Sequence, residues 1–280
     1  MFYLLNLFIQ MKILINNSDL NEALKGVTNL GFVPTMGSIH KGHLSLIKKS
    51  KKITKKTIVS IFVNPRQFNN KKDYKNYPKN IKKDIKILKK IKVDYLYIPK
   101  IKSVFGKNKK QKIHISRNNR ILCAKFRKGH FEGVLQVMDR LTYLIKPNKI
   151  FMGEKDYQQL LLVKNFIEKK YKSKIVSCKT IREKNNLALS SRNSLLNNQN
   201  FIVGNKIATN LIKFKRSLKN KKNLRNLIIN KKYELEKNFK IKVNYLELRK
   251  KKDLKNSKNL SNSKLFIAYY IGNIRLIDNF

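Results

Sequence analysis

Acidic residues are scarce. The 280-residue chain carries 16 Asp and Glu against 65 Lys and Arg, a formal net charge of +49 at pH 7. Cysteine is scarcer. Cys123 and Cys178 stand far apart and in no metal-ligand spacing. That excludes a disulfide framework and a cysteine zinc site, and makes a reducing cytoplasm the expected compartment. There are four histidines, and no Cys, Asp or third His stands beside the two that cluster, so no metal site is expected there. No apolar run approaches the ~20 residues that span a bilayer. The apolar stretch Met1 to Gln10 has no basic leading region and no small-residue cleavage site, which argues against a signal peptide. Residues 1–10 are expected to be an upstream extension, with Met11 a candidate start, or an apolar contact with the domain. No glycine-rich loop ends in Gly-Lys-Ser/Thr, which excludes the kinase-type phosphate cradle.

What is present is enough apolar residue, 41%, for one large or two modest domains. The lysines are spread from end to end among Asn and Ile residues. That pattern reads as A/T-rich codon bias over solvent-exposed positions. A nucleic-acid binder would focus its charge in a patch; a lysine-coated ordinary enzyme would not. Neither a nucleic-acid nor a membrane partner is expected. So much like charge should still cost stability at low salt.

The stretch Phe32 to His43 organises the chain. Val27 to Val33 reads as a strand that Pro34 stops for want of a backbone donor. Met36-Gly37-Ser38 makes a turn. Leu44, Leu46 and Ile47 begin an amphipathic helix. His40 and His43, three apart, are expected on one side of its first turn, where free N–H groups and the positive dipole end suit phosphate. Spacing alone fits a cap or a surface pair equally well.

Around this stretch the pattern alternates. A first strand, Met11 to Ile15, precedes a helix Asp19 to Lys25 capped by Ser18 and ended by Gly26. Thr57 to Val63 is a continuous apolar run, as in buried parallel strands. Ile81 to Ile91 and Phe131 to Ile145 have helical spacing. Val93 to Ile98, Lys149 to Met152 and Lys174 to Ile181 read as strands, with a helix Leu160 to Lys169 between the last two. Residues 100–120 read as an edge hairpin or loop. Strand–helix alternation predicts a parallel, doubly wound α/β sheet over residues 11–181. A smaller α+β unit is expected over 182–280, with strands Val243 to Leu248, Leu265 to Tyr270 and Ile274 to Ile277.

Four clusters at strand ends or in loops carry chemistry: His40-x-Gly42-His43, Asn64-Pro65-x-Gln67-Phe68, Gly153-Glu154-Lys155-Asp156 with Gln158-Gln159, and Leu189-Ser190-Ser191-Arg192-Asn193. An Asn and a Gln in one turn can hold a polar small molecule. A Lys after a strand-end glycine can meet phosphate as a point charge. Two hydroxyls and an Arg suit phosphate oxygens. Taken singly, each also fits an ordinary turn, helix start or loop.

Taken in order they are specific. Pro34-Thr35-Met36-Gly37 with His40-x-Gly42-His43, then Val59 to Phe68, Tyr77-Pro78, Arg127-x-Gly129-His130-Phe131, Gly153 to Gln159, Arg182-Glu183 with Leu187 to Asn193, and Arg275 to Asn279 resemble the pantothenate synthetase (pantoate–β-alanine ligase) family, within the nucleotidyltransferase superfamily. The resemblance runs from about Met11 to Asn279. It implies a Rossmann-like sheet and ATP-dependent condensation of (R)-pantoate with β-alanine through a pantoyl adenylate, releasing pyrophosphate and AMP. By the same resemblance His43 is the proton donor and His40 aids the triphosphate. Met36, Gly37, Ser38, Ile39, Lys41, Gly42, Gly153, Glu154, Lys155, Asp156, Ile181 and Leu189 contact ATP; Lys155, Ser190, Ser191 and Arg192 grip its phosphates. Gln67 and Gln159, with Pro34 and Asn64, hold pantoate, and Gln67 also stands near β-alanine. Mg²⁺ arrives with the nucleotide, the 182–280 unit closes over the site, and the protein is a homodimer. Departures are Asn186 for a glycine, Lys79 for Arg, Lys128 for Pro and Gln136 for Thr. The alternatives are another adenylyltransferase of the superfamily, a basic nucleic-acid binder, and a folded but slow enzyme decaying under mutation bias.

Overall fold

Alternation along the strands sorts two cores onto the two faces of one sheet. Phe32, Ile58, Tyr95, Tyr97, Ile150 and Met152 belong to one buried cluster. Their neighbours in sequence, Val33, Val59, Leu96 and Phe151, belong to another. Successive side chains of a strand point to opposite faces, so a sheet buried on both faces reads as continuous apolar sequence. The computed structural model describes residues 10–68, 70–106 and 113–280. The stretch 1–9, which carries nearly all of the expected upstream extension, lies outside the described residues.

The first sheet is built from β1 (Lys12–Leu14), α1 (Asn17–Leu24), β2 (Leu30–Thr35), α2 (Lys41–Ile53), β3 (Lys56–Ile61), α3 (Lys71–Lys75), α4 (Ile81–Lys90), β4 (Tyr95–Tyr97), α5 (Ile101–Phe105), α6 (Cys123–Phe126), α7 (His130–Ile145), β5 (Lys149–Gly153), α8 (Tyr157–Lys170) and β6 (Lys174–Cys178). All its strand pairs are parallel, in the order β1-β4-β3-β2-β5-β6. The strand order reverses between β2 and β5. In such sheets ligands bind outside the carboxyl ends of the strands at that reversal. There follow α9 (Asn198–Ser217), α10 (Leu224–Phe239) and an antiparallel sheet β7 (Lys242–Lys250), β8 (Ser263–Ile271), β9 (Ile274–Asn279). This sheet also alternates. Phe266 and Ala268 join the large core, while Leu265, Ile267 and Tyr269 pack with residues of α9 and α10. No described helix is long and apolar enough to cross a membrane.

Local expectations are corrected in three places. Pro34 lies inside β2 rather than ending it. Thr35 O accepts from Phe62 N on the β3 side, so Pro34 turns its missing donor toward β5. The ladder to β5 reaches only Phe32, so no bond is lost. The strand also begins later than Val27, because Asn29 sits at φ +51° and breaks the extended run. The cap of α1 is Asn16, whose side chain accepts from Asp19 N, and not Ser18. Residues 101–105 are helical and 117–119 form a single 3₁₀ turn, where a hairpin or loop was expected; residues 107–112 of that stretch lie outside the described residues.

Candidate active site

The turn after β2 is held from below. Thr35 Oγ1 donates to Ser60 O at 2.7 Å and accepts from Gly37 N at 3.1 Å. Gly37 at φ +83° and Ser38 at φ +53° swing the chain into α2, and a left-handed pair is easiest with glycine first. The carboxylate of Asp84, on α4 and 1% exposed, accepts from Ser38 N and Ile39 N, both at 2.8 Å. A Cβ on Gly37 would stand 3.0 Å from that carboxylate.

His40 then caps α2. Its Nδ1 accepts from Gly42 N at 3.1 Å, and His43 Nδ1 accepts from His40 N at 3.4 Å. Each Nδ1 is therefore an acceptor, which assigns the proton of both neutral rings to Nε2. The rings lie 4.0 Å apart. Burial, then the Lys155 ammonium, pushes His40 down to about 4; burial, then His40, pushes His43 down to about 3. Both are neutral Nε2–H donors at physiological pH.

The second arm leaves β5. Asn279, at the end of β9, donates from Nδ2 to Glu154 O at 2.8 Å and Lys155 O at 2.9 Å. Lys155 Nζ lies 3.5 Å from the Asp156 carboxylate. Burial raises the Asp156 pKa, but the Lys155 and Arg192 charges outweigh it and hold the carboxyl below its usual range. Glu154 turns away and pairs with Lys264 at 3.2 Å.

The third arm leaves β3. Asn64 is fully buried. Its Oδ1 accepts from Arg66 N at 3.1 Å, and its Nδ2 donates to Gly133 O at 3.0 Å and Gln67 Oε1 at 3.3 Å. The Gln67 amide donates to Met36 Sδ at 2.7 Å. His130 Nδ1 donates to Gln67 O at 2.7 Å, so its Nε2 accepts from Arg127 Nη1 at 3.0 Å. Gly133 permits the close approach: a Cβ there would stand 2.1 Å from Arg66 O.

The fourth arm comes from residues 182–192. Arg182 clasps Asp278 of β9 with bonds of 2.6 and 2.9 Å. Asn186 adopts φ +77°, the left-handed turn its short amide side chain tolerates. Ser190 Oγ accepts from Arg192 N at 3.3 Å, and Ser191 Oγ donates to Ser38 O at 3.4 Å, which lays this loop against the turn after β2.

The four arms line one cleft at the β2–β5 reversal. The family model for pantoate-beta-alanine ligase matches residues 12–280. This chain belongs to the pantoate–β-alanine ligase family. It is 39% identical over 256 residues to the pantothenate synthetase of Francisella tularensis subsp. novicida, covering 90% of this chain and 88% of that protein. Among solved structures it is similar to the pantothenate synthetase of Thermus thermophilus, with a TM-score of 0.90 and 28% identity over 96% of this chain and 99% of that one. It is similar also to the pantoate-beta-alanine ligase of Francisella tularensis complexed with beta-gamma ATP and beta-alanine, with a TM-score of 0.81 and 36% identity over 96% and 97%.

Of the residues this ligase family points to, Pro34, Met36, His40, Gly42, His43, Gln67, Gly153, Lys155, Asp156, Gln159, Ile181, Leu189, Ser190, Ser191 and Arg192 line the cleft. Gly37, Ser38, Ile39, Lys41, Glu154 and Asn64 do not. Ile39 is a core residue, Lys41 is exposed, and Asn64 commits its amide to the turn that carries Gln67. Gln136 faces Arg66, whose Nη1 donates to it at 3.4 Å, and is absent from the cleft wall. Sequence reasoning missed Asp84, Arg127 and His130 as parts of the site. The Arg127-x-Gly129-His130 motif was the available signal for two of them. Asp84 had none, because a single acidic residue in the first turn of a helix is ordinary.

Proposed function

We propose that this cleft condenses pantoate with β-alanine at the expense of ATP, in two half-reactions. In the first, a pantoate carboxylate oxygen attacks the α-phosphorus, the α–β anhydride breaks, and pyrophosphate leaves behind pantoyl adenylate. In the second, the β-alanine amine attacks the acyl carbon, loses its proton and expels AMP. Negative charge grows on the phosphoryl oxygens during the first step. Donors already aimed there lower the barrier without reorganising. The observation that carries this reading is that His40 and His43, Lys155 and Arg192, carried on three separate arms, line one cleft at the strand-order reversal.

His40 and His43 act on the phosphates as neutral hydrogen-bond donors, with Lys155, Ser190, Ser191 and Arg192 as the gripping groups. Gln67 and Gln159 hold pantoate, which needs amides rather than charges for its hydroxyls, and Gln67 reaches β-alanine. Among the described residues no group of three or more His, Cys, Asp or Glu is assembled for a metal. Asp156 is the one carboxylate on the cleft wall among the described residues, which suits a Mg²⁺ brought in on the triphosphate, retaining much of its water and taking few protein ligands. When bound, Mg²⁺ neutralises triphosphate charge. Residues 11–181 form the unit that binds ATP and pantoate. Residues 182–280 close over it, which protects an acyl adenylate from water. The protein is a homodimer in the cytoplasm, two-fold dimers being the commonest soluble oligomers.

The test is AMP formation from ATP, pantoate and β-alanine with Mg²⁺, omitting each in turn, with His43→Ala alongside. AMP release should need all three and fall at least about 10²-fold in the variant, the cost of one lost transition-state donor. AMP release without pantoate, or with a different acid in its place, would overturn the assignment.

A further inference from the structure

Two guanidiniums share one carboxylate beside the cleft. Arg192 Nη2 donates to Asp73 Oδ1 at 3.1 Å and Oδ2 at 2.9 Å. Arg127 Nη2 lies 3.9 Å from the same Oδ2. Both arginines line the cleft, and Asp73 does not; it reaches them from α3. The arginine side chains are only 16% and 24% exposed, the Asp73 side chain 35%. Arg127 is held in place from behind by His130 Nε2, and Arg192 lies over the Tyr77 ring with 5.7 Å to its centroid. Two fixed guanidinium groups around one pair of oxygens is how arginines take phosphate. Burial, then Arg192 close by, draws the Arg127 pKa down to about 10, so the pair repels and calls for an anion between.

We propose that Arg127 is a second polyphosphate-binding arginine, and that Asp73 is a built-in counter-anion which pyrophosphate, free or as the end of a nucleotide, displaces from Arg127 and Arg192. The proposal rests on the ligase reading for the source of the pyrophosphate. A single carboxylate charge gives way to a more highly charged group, and Asp73, already partly in water, returns to solvent at little cost. The exchange has a direction. Asp73 competes for the arginines, so it weakens pyrophosphate binding and speeds product release. Until nucleotide arrives it keeps two neighbouring cations from pushing the 190–192 loop away.

The experiment is calorimetric binding of inorganic pyrophosphate to the full-length protein at fixed ionic strength. Asp73→Asn should tighten binding about tenfold, and Arg127→Gln should weaken it about tenfold, each a modest change in affinity for one close charge. In Arg127→Gln the gain from Asp73→Asn should shrink. Asp73→Ser serves as a second variant and should act in the same direction. If Asp73→Asn and Asp73→Ser weaken pyrophosphate binding or leave it unchanged, Asp73 orients Arg192 and does not compete, and the proposal fails. It fails also if Arg127→Gln leaves affinity unchanged. Binding needs no turnover. If no AMP forms from the three substrates while these affinities shift as expected, the ligase reading falls and the polyphosphate site stands. If AMP forms and the affinities do not move, the roles proposed for Arg127 and Asp73 are both lost and the ligase reading stands.

Discussion

His130 is 7% exposed, and both of its ring nitrogens are engaged. Burial, then the Arg127 charge, draws its pKa down to about 3. In the unfolded chain it titrates near ~6.5. As the pH falls through that value the unfolded chain takes up a proton that the folded one refuses. Stability therefore falls with acid, from about 6.5 down to the folded value. His40 and His43, drawn down to about 4 and about 3, act in the same direction. So does Asp156, whose lowered pKa gives stability above its unfolded value that is lost on protonation. The urea midpoint should drop between pH 7 and 4.5. His130→Asn retains an N–H for Gln67 O and removes one of these protons, so its midpoint should fall less steeply over the same range. An equal slope in both proteins would show that His130 takes its proton while folded.

At the scale of elements, α7 meets the 65–67 turn through Gly133. The atoms facing its absent Cβ are backbone: Arg66 O at 2.1 Å, Arg66 C at 2.5 Å and Gln67 N at 2.7 Å. Backbone cannot swing aside as a side chain does. Gly133→Ala must push the turn off the helix, at a cost of about 1–3 kcal/mol for overpacking. The same shift moves Gln67 and its carbonyl partner His130. The KM for pantoate should rise about tenfold, since small misplacements near a reacting group are costly. Thermal unfolding and the pantoate dependence of AMP release check both halves. A lower melting temperature with an unmoved KM would mean that Gln67 does not touch pantoate. The end of β9 works similarly. Asp278 and Asn279 hold the 182–192 loop and the Gly153–Asp156 turn. The small sheet thus braces two of the four arms, a structural use for the Asp-Asn pair at the end of the chain.

For the whole molecule the dominant electrostatic fact is a formal charge of +49. Described ion pairs between lysines or arginines and carboxylates are few beside 65 basic residues. The remainder repel one another across the surface, and the repulsion is relieved on unfolding as the charges move apart. Raising salt from ~10 mM, where the Debye length is ~30 Å, to ~1 M, where it is ~3 Å, should therefore raise the melting temperature. Sodium chloride is the suitable salt, because sulfate and phosphate would also strengthen burial. A flat or falling melting temperature would show the lysines already compensated in the folded state.

How much of this was legible depends on how far apart the partners stand. Strand periodicity is local. Phe32-Val33, Ile58-Val59 and Ile150-Phe151 each announce a strand buried on both faces, and helices between such strands leave little choice but a parallel sheet. The four chemical clusters were legible for the same reason, since each is a contiguous run at a strand end or in a loop. The Asn186 turn could be anticipated because one residue's backbone decides it. Packing decided the rest. Asp84 reaches the turn after β2 from 45 and 46 residues away, Arg182 finds Asp278 across 96, and Asn279 holds Glu154 across 125. No pattern in a sequence records such pairs, because their geometry depends on where whole elements come to rest. Pro34 shows the same on a small scale. Its lost donor looks like a strand end until the sheet shows that nothing on that side was waiting to accept it. Composition and periodicity determined the class of the fold and the residues with chemistry to offer. Tertiary packing alone decided which of them face the cleft, which are committed to holding others in place, and which charges stand close enough to compete.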